Sequence, residues 1–305
     1  MSALGESLEQ YLTVRRALGF KLVQTEQMLR TFVRYLDERG EQQITITTAV
    51  AWALLPAGTE TLHYTRLAAI RGFATYLHAV DATVEIPSVD LLRSGAQRRR
   101  PFLYTDEEIL ALINAAGTLR GSHRAATYQT LIGLLASTGM RVGEAIGLDR
   151  DRFDPQLGVI VVRGKLGKIR ELPLAPSVTT ALSAYLARRD RPASPVGERA
   201  MFVNTPGRRL ELHGVEATFR LLRARAAIRP HAGRRPTLHG LRHTFAIRTM
   251  LDAYRDGQDA GPRLGILSTY LGHIDPAHTY WYLHAAPELM SVAADRLERS
   301  EEHAR

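Results

Sequence analysis

Apolar residues recur at helical spacing through the first part of the chain. Leu29, Phe32, Val33 and Leu36 fall at i, i+3, i+4 and i+7, and Leu67, Ile70, Ala74 and Leu77 trace a similar stripe. A third short helix is expected over 48–54, stopped by Pro56, Ala57 and Gly58. Stripes of this kind bury one face of each helix, so 1–90 predicts a bundle of about four helices.

The pattern breaks at 91–101, where Ser94, Gly95 and Ala96 precede Arg98, Arg99, Arg100 and Pro101. This reads as a basic linker. Its three arginines fit a phosphate backbone as well as they fit a solvated hinge. A second domain, 102–305, opens at Thr105-Asp106-Glu107-Glu108, a capping box in which hydroxyl and carboxylate satisfy free helix amides. That helix is expected to reach Ala116, with Gly117 as its C-terminal cap. Tyr128, Leu131, Leu134 and Leu135 predict a helix ending near Gly139, and another follows over 142–148. Val159–Arg163 and 169–174 predict two paired strands around the turn signal Gly164-Lys165-Leu166-Gly167. From Val215 onward the helical pattern returns and carries Arg220, Arg223, Arg225, Arg229, Arg234 and Arg235, a stretch suited to DNA or to a solvated face. The expected fold class is therefore mainly α with a small antiparallel β-sheet: a helical N-terminal domain, then a mixed α+β domain.

Charge sharpens this division. The chain of 305 residues carries a formal net charge of +9. Residues 1–90 hold 8 Lys and Arg against 10 Asp and Glu, and the remainder holds 32 against 21. A polyanion-binding surface is thus expected on the C-terminal part. The absence of cysteine excludes disulfides, thiolate metal sites and thiol catalysis, and fits a cytosolic protein. No apolar run reaches the roughly 20 residues that cross a bilayer, and the N-terminus with Glu6 and Glu9 is not expected to be a secretion signal. Only three of the 40 basic residues are lysines, Lys21, Lys165 and Lys168, and two of them flank one short turn. Arginine stays protonated, whereas a lysine can be tuned by burial to release a proton.

The chemically suggestive residues are strung along the last two-thirds of the chain. Arg141 lies in Ser137-Thr138-Gly139-Met140-Arg141-Val142-Gly143-Glu144, Lys165 in the hairpin turn, and His239 and Arg242 in Leu238-His239-Gly240-Leu241-Arg242-His243. His273 follows Leu271-Gly272, and Tyr282 ends Thr279-Tyr280-Trp281-Tyr282. Two guanidiniums can fork onto the non-bridging oxygens of a phosphate and stabilise the charge that attack adds there. Glu144, three residues after Arg141, shares its helical face and is placed to orient its guanidinium. His239 and Arg242 are likewise three apart on one expected helix, with His239 suited to accept a phenolic proton or to hydrogen-bond the phosphate, and His243 pointing elsewhere. A phenol with a pKa near 10 is a weak nucleophile until neighbours take its proton. This inventory suits attack on a phosphodiester without a metal ion or other cofactor.

The set resembles the tyrosine recombinases, the phage integrase family, over essentially the whole chain. The family pattern is Arg, Lys, His-x-x-Arg, a late His or Trp, and a Tyr nine residues after it. Arg141, Lys165, His239, Arg242, His273 and Tyr282 match it in order, and the nine-residue spacing selects Tyr282 over Tyr280. The resemblance implies a core-binding domain at 1–90 and a catalytic domain at 102–305. It implies Lys165 as the acid that protonates the leaving 5′ oxygen, His273 as a hydrogen-bond donor to the scissile phosphate, and Glu144 in support. Lys168 is expected to touch backbone phosphate, with Arg98, Arg99, Arg100, Arg234 and Arg235 as further DNA contacts. The implied activity is site-specific recombination of duplex DNA through a 3′-phosphotyrosyl bond, with no nucleotide or metal cofactor. The implied assembly is a homo-tetramer on a specific recombination site, in the cytoplasm and associated with the nucleoid. The stripe Leu289, Ala293 and Leu297 suits a C-terminal helix docked either on a neighbouring protomer or on its own domain. The wording around Tyr282 suggests a mobile-element enzyme. Three rivals remain: a topoisomerase-like or resolving enzyme with the same chemistry, a DNA-binding regulator without catalysis, and a metal phosphodiesterase.

Overall fold

The computed structural model describes residues 2–92, 101–164, 167–188, 190–193, 195, 197–231, 234–256 and 260–272. The chain divides into two compact units, Met1–Arg99 and Arg100–Arg305.

The first unit contains four helices among its described residues: α1 (Ala3–Ala17), α2 (Val23–Glu38), α3 (Ile46–Leu54) and α4 (Glu60–His78). Hydroxyl side chains start three of them. Ser2, Thr45 and Thr59 accept from the amides of Gly5, Thr48 and Leu62. The third helix begins two residues before the expected position because Thr45 and Thr48 close a capping box there. Leu29, Phe32, Val33 and Leu36 are all buried, as are Leu67, Ile70 and Ala74. They meet Leu8, Leu12 and Trp52 in one core, where the Phe32 and Trp52 rings stand 5.2 Å apart. Each such buried aliphatic contributes roughly 1.5–3 kcal/mol.

The described part of the second unit is mainly helical. Its helices are α5 (Asp106–Gly117), α6 (Ser122–Thr138), α7 (Val142–Ile146), α8 (Pro176–Leu186), α9 (Leu212–Arg225), α10 (Leu238–Arg255) and α11 (Ala260–Leu271). One antiparallel sheet runs in the order β1 (Phe153–Asp154), β2 (Val159–Arg163), β3 (Ile169–Pro173). The register pairs Val162 with Arg170 and Ile160 with Leu172. The two-residue strand β1 lay outside the sequence expectation. The architecture is the expected one, mainly α with a small antiparallel sheet.

Several local expectations hold and others change. The Thr105–Glu108 capping box forms, with the Thr105 hydroxyl accepting from the Glu108 amide at 3.2 Å and the Glu108 carboxylate accepting from the Thr105 amide at 2.9 Å. Gly117, however, does not cap α5. It is the last helical residue, Thr118 follows as the cap, and a Cβ at 117 would stand 2.8 Å from Nε2 of Gln129. The glycine serves close approach to α6. Gly139 does end α6, in the left-handed region at φ 59°. The helix after it stops at Ile146 rather than 148, with Gly147 as its cap, and Arg209 donates to the Ile146 and Leu148 carbonyls at 3.0 and 3.1 Å. Arg229, Arg234 and Arg235 lie in the connection between α9 and α10, outside either helix.

Two packing features place α10. Gly240 lets Phe102 and Tyr104 press against it, since a Cβ there would meet the Tyr104 ring at 2.8 Å. The Tyr104 hydroxyl donates to the Thr237 carbonyl at 2.9 Å, and Thr237 caps the helix by accepting from Gly240 at 3.0 Å. Behind it, Ala246, Ile247 and Met250 of α10 pack on Leu264, Leu267 and Leu271 of α11. The second half of α10 is thereby held against α11.

Candidate active site

Arg141 is the residue just before α7. Its backbone is extended (φ −72°, ψ 144°), because Gly139 has turned the chain out of α6. The helix therefore starts at Val142, as expected, with Arg141 in the capping position. The Glu144 carboxylate accepts from the Arg141 amide at 2.9 Å and from Arg141 Nη1 at 2.9 Å. Arg141 Nη2 reaches the Gly272 carbonyl at 3.4 Å. Its side chain is half-buried, at 29% exposure.

Arg242, on α10, is one of the most deeply buried large side chains, at 2% exposure. Its Nη1 donates to the Gly139 carbonyl and its Nη2 to the Leu271 carbonyl, both at 2.8 Å. A buried guanidinium requires such partners, since a desolvated charge without them is costly.

A third guanidinium joins them, which sequence reasoning missed. Arg170 of β3 donates through Nη1 and Nη2 to the two oxygens of Glu144, at 3.2 and 2.9 Å, and through Nε to the Tyr270 carbonyl at 2.9 Å. The signal was available. Arg170 shares the phase of Leu172 along β3, and Leu172 is buried while Ile169 is exposed. Burial by itself raises the pKa of Glu144. The Arg170 hydrogen bonds, the Arg141 amide and the two positive charges outweigh it, and the net shift is downward.

The consecutive carbonyls of Tyr270, Leu271 and Gly272 thus accept from Arg170, Arg242 and Arg141, which come from three different elements. The last carbonyls of a helix have no partner within it, and the helix dipole favours cations there. The end of α11 is a natural meeting point for guanidiniums.

His239 stands on the first turn of α10, with its surface open to solvent. Desolvation of its ring, then the charges of Arg242 and Arg141, lower its pKa. The exposed surface argues for only modest desolvation, so the two guanidiniums are the firmer cause. Both effects favour a neutral imidazole able to accept a proton. His243 does not point elsewhere as expected. Its ring stands edge-on to that of His239 at 4.5 Å, because residues four apart on a helix are neighbours.

Lys168 is exposed, and its carbonyl accepts from the Gly164 amide at 2.7 Å, closing the hairpin. Arg234 is half-buried and bridges to His231, while Arg235 is exposed. Neither is in contact with the guanidinium cluster. Arg223 and Arg225 turn instead to the carbonyls of Pro236 and Thr118. Arg98, Arg99, Arg100, Lys165, His273, Tyr282 and the stripe Leu289, Ala293 and Leu297 lie outside the described residues. Among the described residues no helix is long and apolar enough to cross a membrane.

The family profile "Phage integrase family" matches residues 103–288. An integrase/recombinase of Sinorhizobium fredii, y4rB, is 38% identical and aligned over 98% of both chains. Tyrosine recombinase XerC of Azotobacter vinelandii is 33% identical, with 75% of this chain and 71% of that protein aligned. The fold is similar to that of XerH recombinase bound to a palindromic difH substrate, with a TM-score of 0.68, 20% identity and coverage of 90% of this chain and 78% of that one. It is also similar to the Tn1549 transposon integrase in complex with circular-intermediate DNA, at a TM-score of 0.69, 16% identity and coverage of 95% and 99%. The chain belongs to the phage integrase family, the tyrosine recombinases.

Proposed function

We propose that the chain is a site-specific DNA recombinase of a mobile element, which cuts and rejoins duplex DNA through a 3′-phosphotyrosyl intermediate. The observation that carries this reading is the convergence of Arg141 and Arg242 on the carbonyls of Gly272 and Leu271, immediately before His273 in the sequence. Arg141 and Arg242 bind the non-bridging oxygens of one phosphate and stabilise the added charge of the transition state. Their worth is large because a partly desolvated guanidinium acts in a medium of lower effective dielectric than water.

In the reaction, the Tyr282 oxygen attacks phosphorus and its proton passes to His239, which the neighbouring guanidiniums keep neutral. A bond forms between phosphorus and the phenolic oxygen, and the bond from phosphorus to the 5′ oxygen breaks. Lys165 protonates that leaving oxygen, and His273 donates a hydrogen bond to the phosphate. Attack by the 5′ hydroxyl of a second strand reverses the steps, so no nucleotide is consumed and no metal is required. Glu144 supports Arg141. Residues 1–90 serve as a core-binding domain and 102–305 as the catalytic domain. Arg98, Arg99, Arg100, Lys168, Arg234 and Arg235 add backbone contacts. Exchange between two duplexes calls for a tetramer on DNA, with the C-terminal segment around Leu289, Ala293 and Leu297 as a link between protomers. The place of action is the cytoplasm, on the nucleoid.

The test uses a duplex selected from random DNA by the chain itself, nicked beside the cleavage site so that the released strand end is lost. The wild-type chain is expected to accumulate a covalent adduct whether or not a chelator is present, and Tyr282→Phe is expected to bind the same duplex without forming any. Binding without an adduct in the wild-type chain would make it a regulator. An adduct that persists in Tyr282→Phe would place the nucleophile elsewhere.

A further inference from the structure

Glu144 is a single carboxylate that serves two guanidiniums. Arg170 takes both of its oxygens, and Arg141 shares only one of them through its side chain, at Nη1. A carboxylate left alone with one arginine forms a two-bond fork with it. Arg170 prevents that fork from closing on Arg141. It also reaches the Tyr270 carbonyl through Nε, so one planar group fixes β3, α7 and the end of α11 at once.

The slot around this guanidinium is closely fitted. A Cβ at Gly272, whose φ is +67°, would stand 2.8 Å from Nη1 and 3.0 Å from Cζ of Arg170, and a Cβ at Gly164 would stand 3.3 Å from Nη1. The side chain is 14% exposed and Glu144 is 7% exposed. A surface arginine would need neither the two closely fitted glycines nor a carboxylate partner so nearly buried.

We propose that Arg170 is a positioning residue. By engaging both oxygens of Glu144 while bound to the end of α11, it leaves donors of Arg141 uncommitted and directed toward the scissile phosphate. This rests on the reading of the site given above. Arg170 does not touch the substrate. Its effect is exerted through Arg141.

The experiment compares wild type, Arg170→Lys and Arg170→Gln on the selected, nicked duplex. The duplex is made once with an ordinary phosphate and once with a methylphosphonate at the position where the wild-type chain becomes attached. Replacing a non-bridging oxygen with methyl removes a negative charge, so the reaction depends less on the Arg141 guanidinium. Both variants are expected to bind the duplex as wild type does. On the ordinary phosphate, adduct formation is expected to fall by up to about a hundredfold, the scale of a small misplacement of a catalytic group. On the methylphosphonate the deficit should largely disappear. Arg170→Lys keeps the charge without the fork, so it carries the result should Arg170→Gln fail to fold. Variants that cleave the ordinary phosphate at the wild-type rate overturn the proposal. Equal deficits on both substrates overturn it too, because they assign Arg170 to the fold alone. A wild-type chain that forms no adduct on either substrate overturns the recombinase reading itself, and the positioning role with it.

Discussion

Arg30 in the first unit and Arg170 in the second make nearly the same bonds to different effect. Each grips a glutamate through two N–H groups and uses a third to reach another element: Arg30 binds Glu26 and crosses to Glu9 of α1, and Arg170 binds Glu144 and crosses to Tyr270. The side chains of Arg30 and Glu26 are 47% and 22% exposed, those of Arg170 and Glu144 only 14% and 7%. In the open pair, water and salt compete for every charge. In the closed pair the charges have left water, and each depends on the others being present. The comparison teaches that the count of ion pairs says little about a chain with so many arginines. What matters is whether the group is buried and whether it holds anything in place.

The strongest test removes the shared charge. Glu144→Gln leaves two guanidiniums without their carboxylate and should destabilise the second unit by on the order of 3 kcal/mol, as losing one member of a buried pair does. Amide hydrogen exchange in β3 and α10 would report it. The folded pKa of Glu144 lies below its ordinary value of 4.5. A depressed carboxylate stabilises the fold fully above its unfolded pKa and loses that contribution as pH falls through the folded one. The gap between wild type and Glu144→Gln should therefore be widest near neutrality and close on acidification below about pH 4.5. A gap that does not change with pH would mean that the carboxylate is not the origin of the effect.

Two glycines sharpen the contrast. Gly139 and Gly40 both sit in the left-handed region, at φ +59° and +68°. A Cβ at Gly40 meets nothing within 4 Å, whereas one at Gly139 would stand 2.5 Å from Cδ1 of Phe245. Gly40→Ala should cost about 1 kcal/mol, the strain of a left-handed residue alone. Gly139→Ala should cost about 2–4 kcal/mol, because overpacking is added to strain. Because the Gly139 carbonyl also accepts from Arg242, the second substitution should slow adduct formation as well. Paired urea titrations and adduct assays would separate the two, and equal costs would show that Phe245 yields easily.

The same contrast explains what could be read from residues alone. The helix stripes around Phe32 and Ile70, the Thr105–Glu108 box, the Gly139 turn and the strand pair β2–β3 are local patterns, and local physics decides them. Glu144 beside Arg141 was legible because the two are three residues apart. The strand phase turns Arg170 inward with Leu172, but its partner Tyr270 is one hundred positions away, and no local pattern names that partner. Arg242 invited the reading of a phosphate clamp, yet its docking on the ends of α6 and α11 depends on how those helices cross. Gly117 showed the opposite hazard: a glycine at a helix end suggests a cap, but here it makes room for Gln129.

The smallest effect belongs to the exposed pair. Arg30→Ala should change the stability of the first unit by less than about 1 kcal/mol, and the change should shrink as salt is added. Glu26 keeps Arg16 as a partner, so the loss of Arg30 does not leave it unpaired. Glu144 also retains a second guanidinium when Arg170 is replaced, but with so little exposure it has no water to rearrange around the gap. Unfolding of Arg30→Ala at low and high salt measures the term directly. A salt-independent loss well above 1 kcal/mol would show that an open pair can carry as much as a closed one, and exposure would no longer explain the difference between the two arginines.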